Sequence, residues 1–281
     1  PNPEEPEVFR IAEREALQEH ADLMIATDPD SDRIGAGVIQ DSKAFFFTGN
    51  QIGALLADFL SRQGSVKGKI MVTTVVTGDL GSRIVTSRGA TVIHTLTGSK
   101  FVCEEMNHME AGEFLLGYEE SHGYIGGMHI RDKDGVLAAM LLCETAAWHK
   151  TQGKTLLDAL EDLYQKYGYY IDEQDSFVFE GAKGAKEMQK IMARLRSRRG
   201  SVFAPLGKPD KILDYEKGVD ELPRSNVLKF FLPNGSWVAV RPSGTEPKIK
   251  FYYCIRGKDQ RQAEDLYEAV QNSVEEFLRT F

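Results

Sequence analysis

IMVTTVVTGDLGSRIVTSRGATVIHTL, residues 70–96, decides the fold class. Residues 70–77 are rich in β-branched side chains, which suit a pleated, packed surface and predict a strand. Residues 79–88 read as a helix with Asp79 as its N-cap, and residues 90–96 as a second strand. The alternation continues with a helix over 100–111, a strand over 113–118, a long apolar helix over 135–150 and another helix over 154–167. A β-α-β-α order lays helices on the faces of a parallel sheet. The expected class is therefore α/β, with a three-layer α/β domain whose sheet is mixed but largely parallel. Ligands of such sheets bind beyond the carboxyl ends of the strands.

Upstream, Ile11, Ala12, Ala16 and Leu17 recur at helical spacing over 8–20. Residues 22–27 form a short apolar run that stops at Asp28-Pro29-Asp30, which predicts a buried strand ending in a loop. Strands over 34–39 and 44–48 join through a polar turn at Asp41-Ser42, and Asn50 opens an amphipathic helix. Downstream of Gly168 the pattern changes. Residues 169–180 are strand-like and 183–199 helical, and a stretch punctuated by Gly and Pro (205–223) leads to strands over 227–232, 236–241 and 248–256. The last helix, 259–281, carries Ala263, Leu266, Val270, Val274, Phe277 and Leu278 on one face. Hairpinned strands with two flanking helices make a smaller C-terminal α+β domain. The expected division is 1–47, 48–168 and 169–281.

The chain has 281 residues and 34 Lys+Arg against 42 Asp+Glu, a formal charge of -8. That length suits two domains or a little more, and the acidic balance argues against a nucleic-acid partner. Cys103, Cys143 and Cys254 are odd in number and form no CxxC pair, so they fit neither a disulfide framework nor a zinc site and suit the cytoplasm. No apolar run approaches the roughly 18 residues that cross a bilayer, and there is no signal peptide, so no membrane partner is expected. The start at Pro1, in a stretch rich in Pro and Glu, looks like a piece of something longer.

Three stretches look like chemistry. Asp28-Pro29-Asp30-Ser31-Asp32-Arg33 places three carboxylates at alternate positions after a strand. Their mutual repulsion requires a neutralising cation or raised pKa values. Hard oxygen ligands select Mg²⁺ or Ca²⁺. An EF-hand would need Gly and Glu where Arg33 and Ile39 stand, so an open Mg²⁺ site fits better, with Arg33 free to contact an anion. Arg241-Pro242-Ser243-Gly244-Thr245-Glu246-Pro247 combines hydroxyls, a close-approach glycine and a guanidinium fork suited to a phosphate. Lys248 and Lys250 point to one face of the next strand. An ordinary hairpin loop explains the same residues about as well. Gly117-Tyr118-Glu119-Glu120-Ser121-His122-Gly123 follows a strand and offers carboxylates and a hydroxyl to sugar hydroxyls. Ser121 is a poor nucleophile there, since adjacent residues rarely place Oγ on a neighbouring imidazole. Beyond it, Arg131-Asp132-Lys133-Asp134-Gly135 is either a charged turn with Asp134 near a helix start, or the setting of a buried, proton-transferring Lys133.

DPDSDR, GYEESHG and RPSGTEPKIKFYY, in this order across essentially the whole chain, resemble the α-D-phosphohexomutase family, and closely its bacterial phosphoglucomutase/phosphomannomutase enzymes. The resemblance implies Asp28, Asp30 and Asp32 as Mg²⁺ ligands. It implies Glu119 and Ser121 as contacts to hexose hydroxyls, and Arg241, Ser243, Gly244, Thr245 and Lys250 as the grip on the non-reacting phosphate. Lys133, with Arg33, would serve the catalytic step. The implied partners are hexose phosphates and a hexose 1,6-bisphosphate, and the implied assembly a monomer or homodimer. The family has four domains and carries its phosphorylated serine in the first, within a T-A-S-H-N-P-like segment that this sequence does not contain. Residues 1–47 would then be the end of the second domain, and the chain by itself would be inactive. Two alternatives stand beside this reading: a Mg²⁺-dependent phosphatase of the haloacid dehalogenase type, and a non-catalytic sugar-phosphate-binding module.

Overall fold

A computed structural model describes residues 2–281, except Ala111, Gly244, Thr245 and the side chain of Ala182. The chain divides into two units, Pro1–Tyr167 and Gly168–Phe281. In the first, α1 (Arg10–Glu19) ends at His20, which takes a left-handed conformation at φ 53. Strands β1 (Met24–Thr27), β2 (Ile34–Gln40) and β3 (Lys43–Phe47) then form an antiparallel sheet in the order β1-β2-β3. The turn between β2 and β3 holds Asp41 and Ser42 at φ 50 and 61. Positive φ at both turn residues matches the twist of the flanking strands. β1 is less buried than the sequence suggests. It is an edge strand, and within it only Met24 is fully covered.

α2 (Gly49–Leu60) starts with a capping box. The Gln51 amide donates to Thr48 Oγ1 at 3.2 Å, and the Thr48 amide to Gln51 Oε1 at 2.9 Å. The alternation then runs through β4 (Ile70–Thr74), α3 (Asp79–Ser87), β5 (Thr91–Thr95), α4 (Ser99–Met106), β6 (Phe114–Tyr118), β7 (Tyr124–Ile125), α5 (Gly135–Lys150) and α6 (Leu156–Tyr167). The sheet order is β5-β4-β6-β7, with β4 parallel to both of its neighbours and β7 antiparallel to β6. This is the mixed, largely parallel sheet expected. Two details differ from the sequence reading. β4 stops at Thr74, where the Thr77 amide turns back to the Thr74 carbonyl at 3.2 Å. Asp79 is not the N-cap of α3. Gly78 holds that position, and Asp79 sits in the first turn, where a carboxylate favours the helix dipole.

The second unit contains β8 (Tyr169–Val178), α7 (Gly181–Arg198), β9 (Lys211–Asp214), β10 (Leu228–Phe231), β11 (Trp237–Pro242), β12 (Lys248–Gly257) and α8 (Gln260–Leu278). Its sheet is antiparallel in the order β8-β12-β11-β10-β9. One face presents Val238, Val240, Ile249, Phe251, Tyr253 and Ile255, which cluster with Ile191, Met192 and Leu195 of α7 and with Val270, Val274 and Phe277 of α8. Each such large apolar side chain contributes roughly 1.5–3 kcal/mol on burial. β9 escaped the sequence reading because its four residues lie inside the stretch punctuated by Gly and Pro. Among the described residues, no helix is long and apolar enough to cross a membrane.

Candidate functional site

The acidic loop between β1 and β2 is a tight, internally bonded turn. The Ser31 amide donates to the Asp28 carbonyl at 3.0 Å, and Ser31 itself takes φ 56. Asp28 is 6% exposed. Its Oδ1 accepts from the amides of Asp32 and Arg33 at 3.2 and 3.3 Å, and its Oδ2 from Arg33 Nε at 2.9 Å. Burial pushes the Asp28 carboxyl up, but the bonds from Arg33 and the loop more than reverse that, so it lies below the usual carboxylate range. Arg33 is not free to reach an anion, as the sequence suggested. Its Nη1 also meets Glu4 Oε1 at 2.9 Å. The second cation of the loop comes from far along the chain, where Lys133 Nζ meets Asp32 Oδ2 at 2.7 Å. Asp30 stays exposed. The repulsion among three carboxylates is thus relieved by Arg33 and Lys133.

The loop after β6 is tied down at almost every residue. The Glu119 amide donates to the Gly123 carbonyl at 2.9 Å and closes the turn. The Glu119 side chain, 5% exposed, accepts from the Gly98 amide at 2.7 Å. Glu120 Oε2 accepts from the hydroxyls of Thr74 and Thr77 at 3.2 and 3.1 Å. Burial, with Glu119 alongside, pushes the Glu120 carboxyl up. His122 takes φ 65, a conformation that costs roughly 1–2 kcal/mol in a residue with a Cβ. It is held by Nδ1, which lies 2.9 Å from the Ile34 carbonyl, and by its own carbonyl, which accepts from the Ile34 amide at 3.1 Å. Ser121 is half-buried between these anchored neighbours.

Two glycines let the segments close in. A Cβ on Gly49 would lie 2.1 Å from the Glu120 carbonyl oxygen, and one on Gly135 would lie 2.6 Å from the Ser31 carbonyl oxygen. The Gly135 amide donates to that same Ser31 oxygen at 2.9 Å. Asp134 caps α5, its Oδ1 accepting from the Leu137 amide at 2.9 Å, as the plainer reading of that turn anticipated. Lys133 is 20% exposed in its side chain rather than buried. The acidic loop 28–33 therefore meets, within one unit, the neighbouring segments 117–123 and 131–135, which lie far along the chain from it.

The donor set of the acidic loop is chemically suited to a hard divalent cation, because all three side chains offer carboxylate oxygens. Among the described residues no group of three His, Cys, Asp or Glu side chains converges as a ligand set. Asp28 and Asp32 face Arg33 and Lys133 instead, so a bound ion would replace those cations as the partner of the carboxylates.

In the second unit, Arg241 on β11 stands opposite Lys250 on β12, and Lys250 opposite Ser176 on β8. Cross-strand partners share a face, as do Lys248 and Lys250 two residues apart. Lys250 Nζ donates to Gln174 Oε1 at 3.1 Å. The hairpin closes through the Ser243 amide, which donates to the Lys248 carbonyl at 2.8 Å, and the Glu246 amide donates to Ser243 Oγ at 3.2 Å. Lys248 Nζ pairs with Glu246 at 2.7 Å and holds that exposed carboxyl below its ordinary range. Gly244 and Thr245 lie outside the described residues. The register brings Arg241, Ser243 and Lys250 to one end of this sheet.

Sequence reasoning missed three participants. Thr74 and Thr77 look like ordinary strand residues, and His122 carried no assignable role. The only available signal was that each lies at or beyond a strand end, where ligand-side loops begin.

Residues 48–167 match the family described as phosphoglucomutase/phosphomannomutase, alpha/beta/alpha domain III, and residues 154–273 match the C-terminal domain of the same family. A phosphoglucomutase of Staphylococcus haemolyticus is 35% identical over 290 residues, covering 98% of this chain and 52% of its own length. Another, of Staphylococcus epidermidis, is 36% identical over 269 residues, covering 90% of this chain and 49% of its own. The chain thus spans about half the length of the curated relatives it matches. The crystal structure of the exocytosis-sensitive phosphoprotein parafusin (phosphoglucomutase) from Paramecium, in its open form, shares the fold. Its TM-score is 0.72 at 23% identity, covering 97% of this chain and 49% of that one. With two successive domains of one family matched in order over residues 48–273, the chain belongs to the α-D-phosphohexomutase superfamily.

Proposed function

We propose that this chain supplies the sugar- and phosphate-recognising half of a phosphohexomutase that interconverts hexose 1-phosphate and hexose 6-phosphate, with glucose as the hexose and mannose a second candidate. The observation that carries the reading is the meeting of the acidic loop, the Glu119–Ser121 loop and Lys133 within one unit, fixed by the Lys133–Asp32 pair and the Ile34–His122 bonds. In this reading Glu119 and Ser121 accept from and donate to sugar hydroxyls. Arg241, Ser243, Gly244, Thr245 and Lys250 hold the phosphate that does not react, by charge-assisted bonds. Lys133 would steady or move a proton beside the reacting group, and Arg33, which stays protonated, would contribute only its charge, through the acidic loop it is paired with. Asp28, Asp30 and Asp32 would hold Mg²⁺, which when bound supplies charge neutralisation for a transferring phosphoryl group. The phosphoryl donor, a phosphoserine, and the 1,6-bisphosphate intermediate belong to the whole enzyme, and the isolated chain is inactive. Cys103, Cys143 and Cys254, none of them in a disulfide, suit a reducing cytoplasm.

Membership in this superfamily displaces the haloacid dehalogenase alternative. For the isolated chain, the span of about half of its relatives favours a second description, a sugar-phosphate-binding module. Calorimetric titration with glucose 6-phosphate and glucose 1-phosphate tests both. Binding is expected, weakened by Glu119→Gln and by Arg241→Gln, with no isomerisation. Absence of binding to either ester, or release of inorganic phosphate from them, would refute the reading.

A further inference from the structure

The imidazole of His122 is 6% exposed and sits on neither the carboxylates nor the hydroxyl of its own loop. Its Nδ1 reaches 2.9 Å to the carbonyl of Ile34, the first residue after Arg33 of the acidic loop. A carbonyl oxygen only accepts, so Nδ1 carries the hydrogen there. The backbone repeats the connection, since the Ile34 amide donates to the His122 carbonyl at 3.1 Å and Arg33 forms a β-bridge with Gly123. On the other flank Glu120 is tied to Thr74 and Thr77. Ser121 thus lies between two clamps, one on the parallel sheet and one on the antiparallel sheet.

We propose that His122 is a positioning residue: through the Ile34 carbonyl it sets the register between the 117–123 loop and the acidic loop, and so fixes where Glu119 and Ser121 present to a hexose. The role is mechanical and assigns no proton transfer to the ring. It rests on the sugar-recognition reading of Glu119 and Ser121. The left-handed backbone at His122 belongs to the device, because it turns the side chain back toward β2 while the chain proceeds to Gly123 and β7.

Three substitutions in the full 281-residue chain test this. His122→Ala removes the donor. His122→Asn places Nδ2 close to where the imidazole places Nδ1, and asparagine tolerates positive φ. His122→Gln carries its donor one bond further out. The expected result is a roughly tenfold rise in the Kd for glucose 6-phosphate in the Ala and Gln variants, a loss of about 1.4 kcal/mol, with most of the affinity kept by Asn. Affinity for inorganic phosphate should stay unchanged. Hydrogen exchange should accelerate about tenfold at the Ile34 and Glu119 amides in the Ala variant, while amides of α2 keep their protection. Uniform acceleration across the first unit with an unchanged Kd means that His122 only stabilises the fold, and overturns the proposal; so does a Gln variant equal to Asn. The exchange measurement needs no ligand. A wild-type chain that binds no hexose phosphate therefore sinks the recognition reading, and the local exchange pattern still decides whether His122 couples the loops.

Discussion

The acidic loop of the first unit and the basic hairpin of the second reach their shapes by opposite means. Asp28, Asp32 and Arg33 are bonded to one another and to partners such as Lys133, about a hundred residues along the chain. Remove one partner and a charge loses its counter-ion. Arg241, Ser243 and Lys250 instead take their places from the register of adjacent strands, Arg241 opposite Lys250 and Ser243 bonded back to Lys248. Their side chains stand off a hairpin whose Glu246 is exposed. The lesson is where a mutation registers. On the proposed reading, function and stability rest on the same contacts in the first region and on different ones in the second.

Gly49→Ala should break the first region most severely. Gly49 opens α2, and a Cβ there would lie 2.1 Å from the Glu120 carbonyl, a backbone atom that cannot swing aside as a side-chain tip can. Overpacking of this kind costs about 3 kcal/mol. Urea unfolding of the full chain reads that loss directly. A variant unfolding at the wild-type midpoint would show that the helix and the 117–123 loop do not approach so closely.

Asp28→Asn should rank second, with a loss of about 2 kcal/mol at neutral pH, because a buried carboxylate accepting from Arg33 Nε and two amides becomes a neutral group with one acceptor. The pH dependence sharpens the point. The folded-state pKa of Asp28 lies below its ordinary value of 3.8. Its contribution is therefore fully present above about pH 3.8, and is lost as pH falls through the folded-state value. Wild type and variant should converge in stability as the pH drops below 3.8. A gap that stays constant down to pH 2 would mean that the charge on Asp28 is not what stabilises the loop.

The same contrast explains what was legible in the sequence. Regular elements came through where local pattern suffices: the β-branched run at 70–74, the α8 stripe from Ala263 to Phe277, the turn at Asp41-Ser42. Misplacements fell where tertiary bonds override pattern. β4 stops three residues early because Thr74 and Thr77 turn toward Glu120, and β9 has only four residues among turn formers. In the basic hairpin, alternation alone put Lys248 and Lys250 on one face. In the acidic loop, composition showed that three carboxylates need a cation, but nothing local says that Lys133 is one of the cations. Nor does a spacing rule connect His122 to Ile34. Partners that meet only in the folded chain leave no periodic trace.

Lys250→Met should have the smallest effect on stability, and it is the substitution that most cleanly separates the two regions. The Lys250 ammonium donates to Gln174 at 3.1 Å in an exposed setting, and its stem lies along the half-buried strand surface where a methionine of similar length packs as well. The bond to Gln174 competes with water, and the Tyr252 ring lies 5.9 Å from Nζ, so the change stays within about 1 kcal/mol. Ligand affinity should behave otherwise. A charge-assisted bond to a phosphate oxygen contributes about 1.5 kcal/mol or more, so the affinity for glucose 1-phosphate should fall at least tenfold. Urea midpoints and calorimetric titration, run on the same preparation, separate the two quantities. An unchanged Kd would take Lys250 out of the phosphate grip. A large drop in the urea midpoint would show that the second region, like the first, cannot lose a charged side chain without losing its fold.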